Sequence, residues 1–450
     1  MSSDDDRGTA LQAAYQDAKT LSPGGMPRSA HNRAMVLIPP GNYRLTSTLV
    51  VDADFVDLVA ELPQSGGVPS DTDDWNMGVK SVPREMYRPP CTAVYSDLPG
   101  VTVVEQTARD VRLTGFGIGQ IFDDVDYHLA LAPSGPACFA FLFSPATEEA
   151  NDRSIYTQMY FWHSTPFSLS DGIIGNCWAP TGFTKHVAGT WVNCIDGACG
   201  MRVGKNGRFT AQMRDCFTGI YAIGGDAPGG VMGPCRLERA KACGSFAGLV
   251  GIGSFGGCNA TGVPSLPTAW FIDCEAGIGA FNIGSEIVAA GNYIRCRAGM
   301  NSFGSSGEFA GHAEDCVAGA GSFGAKALNA PSGKLTGTLT RCSIVPGIEA
   351  VAHTDTGWLL KGATIRDSRL FVRAPGVHCL TLLDDHSVIT GSDILVKQGG
   401  TGLPVYAATP RKVSMAHCRM NNAARDANGM GNHVTNRIQN PNNVVDNQIA

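Results

Sequence analysis

A cysteine followed three residues later by glycine, and preceded by a polar residue, recurs along the chain in one frame. The copies are Val192-Asn193-Cys194-Ile195-Asp196-Gly197, Arg214-Asp215-Cys216-Phe217-Thr218-Gly219, Ile272-Asp273-Cys274-Glu275-Ala276-Gly277, Ile294-Arg295-Cys296-Arg297-Ala298-Gly299 and Glu314-Asp315-Cys316-Val317-Ala318-Gly319. In the last three a Phe stands seven residues after the Cys, at Phe281, Phe303 and Phe323, and the series continues through Cys342, Ser368, Ser392 and Cys418. From Cys274 the steps are 22, 20, 26, 26, 24 and 26 residues. A near-constant period of this length marks a solenoid, in which each unit buries its apolar face only against its neighbours. Gly makes up 56 of 450 residues, too many for stacked helix pairs and suited to short strands joined by turns. The units lack the L-x-x-L-x-L frame of leucine-rich repeats, so an all-β parallel coil is expected.

Rungs of such a coil repeat about every 4.8 Å, so equivalent residues form columns. Small, weakly polar Cys and Ser fill an inward column. The residue before each must then face outward by strand alternation, and that column reads Asp273, Arg295, Asp315, Arg341, Asp367. Its alternating sign makes each interior acid the neighbour of two guanidinium groups, which is a structural ladder rather than a catalytic row. Fifteen Cys cannot all pair within one chain, and a reduced compartment is expected. Thiols a full rung apart do not converge, so no metal site is predicted from them; even Cys194 and Cys199, the closest pair, lack a second pair nearby.

Leu11, Ala14, Tyr15, Ala18 and Leu21 form a helical apolar stripe behind Asp4, Asp5 and Asp6, where a helix dipole favours acids. This predicts a short N-terminal capping helix. Two alternating strands around a Pro39-Pro40-Gly41 turn follow, through Val36-Leu37-Ile38 and Asn42-Tyr43-Arg44-Leu45. Helix, then I-P-P-G-x-Y-x-L, then Gly-rich coils resembles the start of the pectate-lyase-like proteins, a superfamily that includes pectin lyases, polygalacturonases and phage tailspikes. The resemblance implies a right-handed parallel β-helix and is nearly silent on activity, because that fold hosts lyases, hydrolases, epimerases and binders. By character the chain divides into a cap and lead-in (1–33), first rungs (34–120), an insertion-rich region (121–190) and regular rungs (191–450). The Asn-rich stretch around Asn442 and Asn443 reads as one more, degenerate, rung.

Long insertions on a rigid scaffold are where binding resides. One, from Ser65 to Pro90, carries Asp71, Asp73, Asp74 and Trp75; another, from Ile121 to Asn176, carries Asp123, Asp124 and Asp126 with Tyr127 and His128, then Tyr156, Tyr160, Phe161, Trp162, His163 and Phe167. Glycosidic-bond cleavage on this kind of scaffold uses paired carboxylates, which makes Asp123, Asp124 and Asp126 the first catalytic candidates; they also read as a solvated acidic turn. Asp384 and Asp385, before His386, are the second pair and read first as turn residues. Tyr156, Tyr160 and Trp162 supply flat rings with polar handles suited to sugar faces, or else a lid or subunit contact. The polygalacturonase motif set is absent, with Gly311-His312-Ala313 the nearest approach to its G-H-G, and the Trp and Arg motifs of pectate lyases are absent too. No role is carried over from either family. Ca²⁺ suits the oxygen-rich acidic group, but no D-x-D-x-D-G loop supports it, so no cofactor is expected.

A net charge of −6, 16% charged residues and no basic run exclude a general nucleic-acid binder. No stretch is long and apolar enough for a membrane span. The expected partner is a polysaccharide or cell-surface glycan, engaged by a homotrimer or other homo-oligomer. The two functional readings are a carbohydrate-engaging, tailspike-like or polysaccharide-degrading β-helix (hydrolase or lyase), and a non-catalytic structural or adhesive solenoid. The opening Met-Ser-Ser-Asp-Asp-Asp-Arg lacks signal-peptide character. A virion tail is expected under the tailspike reading, and the cytoplasm otherwise.

Overall fold

The computed structural model describes residues 3–61, 92–98, 101–120, 141–143, 153–163, 186–187, 189–196, 201–203, 208–209, 212–218, 223–225, 231–232, 235–242, 269–276, 281, 288–300, 302–304, 307–325, 333–344, 357–397, 399–421, 431 and 433–446. Within them lie two compact units, one ending at Cys243 and the other beginning at Gly244. Each is a parallel β-helix. In the first, one sheet orders Ala34–Ile38, Val56–Ala60, Arg112–Thr114, Ile155–Thr157, Thr190–Val192, Gln212–Arg214 and Arg236–Glu238, and a second runs beside it from Gly41–Arg44 to Lys241–Ala242. In the second unit the corresponding sheets run from Trp270–Ile272 to Val434–Asn436 and from Glu275–Ala276 to Val444–Val445, the degenerate last rung included, with a six-stranded third face from Val288–Ala289 to Val405–Tyr406. Neighbouring strands pair in parallel, coil on coil.

What makes the corner between the first two sheets is a column of left-handed residues. Gln158, Asn193, Asp215 and Arg239 in the first unit, and Asp273, Arg295, Asp315, Arg341, Asp367, His417 and Asn442 in the second, all have φ between 47° and 54° or, for His417, 56°. Each such turn resets the strand alternation. The buried positions flanking it are therefore three apart, Trp191 and Cys194, Phe271 and Cys274, Tyr293 and Cys296, Leu339 and Cys342, rather than two. The backbone ladder runs through the corner unbroken, Asp273 N–H donating to Ile294 O at 2.9 Å and Arg295 N–H to Glu314 O at 2.8 Å. The outward column is thus a column of turn residues, and strand alternation is not its cause.

The inward column behaves as expected. Cys194, Cys216, Cys274, Cys296, Cys316, Cys342 and Cys418 are free and buried, with Ser368 and Ser392 in line. Each thiol donates to a carbonyl two residues back and several also reach the previous rung, Cys296 Sγ to Phe271 O at 3.2 Å and Cys316 Sγ to Tyr293 O at 3.4 Å. Ser368 and Ser392 donate to the carbonyl two residues back as the thiols do, at 2.7 and 2.8 Å, and also accept from the Cys342 and Ser368 amides at 3.0 and 3.1 Å. Burial disfavours the thiolate here, raising the pKa of Cys194 and Cys296. Not every rung keeps Cys or Ser in that place: after the left-handed Gln158 and Arg239 it is taken by the fully buried Met159 and Ala240.

A second column in the second unit stacks Phe281 on Phe303 at 4.6 Å and 13°, and Phe303 on Phe323 at 4.7 Å and 15°. All three are left-handed as well. In the charged column the pairing is one-way. Arg239 bonds Asp215 at 2.5 and 3.0 Å, Arg295 bonds Asp273 at 2.6 and 2.8 Å, and Arg341 bonds Asp315 at 2.5 and 2.9 Å. Each Arg thus hydrogen-bonds the acid of the preceding rung, while Asp315, between Arg341 and Arg295, feels the charge of both. Arg239 holds the Asp215 carboxyl below its usual range, and Arg341 does the same to Asp315.

The cap is a helix, α1, Asp4–Thr20, opened by a capping box in which Asp6 N–H donates to Ser3 Oγ and Ser3 N–H to Asp6 Oδ2. Leu11, Tyr15 and Ala18 are buried, Ala14 is half-buried and Leu21 is 51% exposed. Gly8 is buried too: a Cβ there would stand 1.8 Å from Arg44 O. The Tyr15 hydroxyl accepts from the Asp52 and Ala53 amides at 3.0 and 3.1 Å, and burial pushes its pKa up to about 12.

Candidate functional site

The aromatic strand Tyr160–His163 lies in the second sheet of the first unit, between Gly117–Gln120 and Ile195–Asp196. The register sets Tyr160 opposite Gly117, Trp162 opposite Gly119 and His163 opposite Gln120, and continues Gly119 to Tyr95 and Gln120 to Ser96. Two glycines therefore leave the rung beside Tyr160 and Trp162 bare of side chains at those positions, and both glycines are buried. The Gly117–Gln120 strand, which the acidic segment follows in sequence, ends with Gln120 directly beside His163 at the end of the aromatic strand. Asp123, Asp124 and Asp126 themselves fall outside the described residues, as does the Ser65 to Pro90 insertion.

Tyr156, four residues before Tyr160, belongs to the core. It is fully buried, its ring stacks on Trp191 at 4.5 Å, and its hydroxyl donates to Gln106 Oε1 at 2.8 Å. Gln106 in turn donates to Ser154 Oγ at 2.9 Å, which extends a buried polar network inside the coil. The left-handed Gln158 separates the two tyrosines into different sheets. Asp384 and Asp385 are turn residues: Asp384 Oδ1 accepts from the Gly362 and His386 amides, both at 3.1 Å, and Asp385 Oδ1 accepts from Lys412 N–H at 2.9 Å. That backbone bond, with Arg411 and Arg437 nearby, lowers the Asp385 pKa. Both carboxyls are engaged in the backbone bonds of their turns.

Two carboxylates converge elsewhere, in a place the sequence did not mark. Arg33 bonds Asp57 at 2.7 and 2.6 Å and Asp110 at 2.9 Å, all largely buried, and Arg153 lies 3.5 Å from Asp110. Arg112 N–H adds a bond to Asp57 at 2.9 Å. The Arg33 guanidinium ion-pairs with both acids, so the cluster ties the lead-in to the first rungs. Gln120 was likewise unmarked and His163 stood only within the aromatic run; what singles out the pair is the register. Among the described residues no group of three or more His, Cys, Asp or Glu is arranged to hold a metal ion, and no helix is long and apolar enough to cross a membrane.

No family model and no curated protein matches the chain. Among solved structures, the A-module of the Azotobacter vinelandii mannuronan C-5 epimerase AlgE6 aligns at 12% identity and TM-score 0.34 over 98% of this chain and 94% of its own. The DFA-IIIase of Arthrobacter chlorophenolicus, without its lid, gives 10% and 0.29 over 98% and 94%. The alginate lyase AlyF-OU02 gives 10% and 0.26 over 98% and 77%. The assignment rests instead on the register of the chain's own sheets: each unit is a parallel β-helix, the architecture that the N-terminal resemblance to pectate-lyase-like proteins implied.

Proposed function

We propose that the protein engages carbohydrate at the edge of the second sheet of its first unit, with Tyr160 and Trp162 as the sugar platform and Asp123, Asp124 and Asp126 as the acidic group. The observation that carries this reading is the Gln120–His163 pair, which brings the origin of the acidic segment to the end of the aromatic strand. Rings beside carboxylates suit pyranose binding. Two carboxyls about 5–10 Å apart suit cleavage, one protonating the glycosidic oxygen while the other activates water or attacks the anomeric carbon. Glycan-array binding followed by a reducing-end assay tests it. Trp162→Ala is expected to lose at least tenfold in binding, and Asp124→Asn with Asp126→Asn to keep binding but lose release of reducing ends. A wild-type chain that neither binds nor cleaves any glycan overturns the reading.

The other reading is a structural or adhesive solenoid. It is favoured by the acids that do sit on described rungs, since Asp57, Asp110, Asp215, Asp273 and Asp315 are all committed to arginines. Under it the double Asn variant changes nothing measurable.

A further inference from the structure

We propose that the cleft at the C-terminal end of α1 is a second, separate saccharide site that takes one pyranose unit on the ring of Phe55. The cleft holds about 730 Å³ and is lined by Lys19, Arg28, Asp52, Asp54, Phe55 and Arg109, a size that suits one small ring with room for its neighbours. Phe55 is its unusual member. Its φ is 63°, a conformation that disfavours a bulky side chain, and it is held there by Phe55 N–H donating to Asp110 O at 2.8 Å and by Ala34 N–H donating to Phe55 O at 3.0 Å. The left-handed Phe281, Phe303 and Phe323 are buried in a ring stack that explains them. Phe55 is half-buried, and among the described residues no ring stacks on it. Arg33 backs it, with its guanidinium 5.4 Å from the ring centre.

The rim has the chemistry that hydroxyl pairs need. Lys19 Nζ lies 2.8 Å from Asp52, and Asp54 is held by Arg109 N–H at 2.7 Å with the Arg109 side chain at 3.9 Å. Each pair offers a fixed donor beside a fixed acceptor, and two vicinal hydroxyls offer the complement. Arg28 is tied to the α1 carbonyls of Ala18, Lys19 and Leu21 through Nη1 alone, so the rest of its guanidinium is available at the rim. Three cations against two carboxylates tolerate a uronic acid as well as a neutral hexose.

This site does not depend on the sheet-edge reading, and one experiment separates them. Saturation-transfer NMR is run on the full chain with methyl glucoside, mannoside, galactoside and glucuronide, in the wild type, Phe55→Gly and Trp162→Ala. The expected result is transfer to the pyranose C–H protons of at least one glycoside, at least fivefold weaker in Phe55→Gly and retained in Trp162→Ala. Glycine relieves the left-handed backbone and offsets part of the lost ring packing; transfer is read well below the melting temperature of each variant, where a single cooperative melt shows that a lost signal is not a lost fold. No transfer from any of the four glycosides, or an undiminished signal in Phe55→Gly, overturns the proposal. Loss in Trp162→Ala alone also overturns it and places the contact at the sheet edge.

Discussion

Truncating Phe303 tests the packing and the backbone of the second unit at once. The ring is fully buried, sandwiched between Phe281 at 4.6 Å and Phe323 at 4.7 Å, with Tyr293 edge-on at 5.3 Å. Burying an aromatic side chain removes roughly 150–250 Å² from water, or about 4–6 kcal/mol at 25 cal/mol/Å². This is an upper bound, since the unfolded chain already hides part of that area. Measured Phe→Ala losses in cores run about 3–5 kcal/mol, so Phe303→Ala should cost about 4 kcal/mol. Phe303→Gly deletes the same ring but should cost no more. At φ 56° alanine keeps a left-handed penalty of about 1–2 kcal/mol, whereas glycine escapes it and gives back only about 0.5–1 kcal/mol in unfolded-chain entropy. Glycine should therefore come out about 0.5–1 kcal/mol ahead of alanine, the reverse of their usual order inside a strand. Urea unfolding provides the free energies, read on the transition that carries hydrogen exchange of peptides within 269–325, because two units need not unfold together. A Phe303→Ala loss below about 1 kcal/mol would refute the stacked column, and a Phe303→Gly less stable than Phe303→Ala would refute the left-handed corner.

In a double-mutant cycle, Arg295 should couple measurably to Asp273, which it bonds, and more weakly to Asp315, with the coupling shrinking in salt; equal coupling to both acids would restore the symmetric ladder. His378 stacks on Tyr406 at 3.9 Å and its Nδ1 accepts from Leu403 N–H at 3.0 Å, while burial lowers its pKa. The unfolded chain therefore takes up the proton first, and stability should fall as pH drops below about 6.5 toward the depressed value. His378→Gln should flatten that slope in pH-dependent melts. Deleting residues 1–30 removes the buried Leu11, Tyr15 and Ala18 from the first rung and exposes strand edges, so light scattering should report aggregation; a soluble, cooperatively folding truncation would show that α1 is not a cap.

The coil itself was legible because its signals are periodic. Cys296 and Cys316 repeat at one rung, the signs of Arg295 and Asp315 alternate with them, and the stripe of Leu11, Tyr15 and Ala18 needs only helical spacing to be seen. The rung at Arg239-Ala240 was not legible, since alanine fills the inward place as well as cysteine does and leaves no mark.

Side-chain direction needed the three-dimensional coil. Left-handed corners are ordinarily betrayed by glycine, and Gly115 and Gly391 do stand in this column; Asn193, Asp215, Asp273 and Asp315 are of types that favour the region, but Gln158, Arg239, Arg295 and Arg341 do not announce the turn. At each one the alternation of inward and outward positions restarts, so parity counted along the chain fails across it. That is why Tyr156 and Tyr160, close in one aromatic run, part company: Tyr156 enters the core against Trp191 and Tyr160 joins the next sheet opposite Gly117. Periodicity belongs to the chain and can be read from it. The phase of each strand, and with it which rings and acids can meet, is set only when neighbouring coils hydrogen-bond and fix the register.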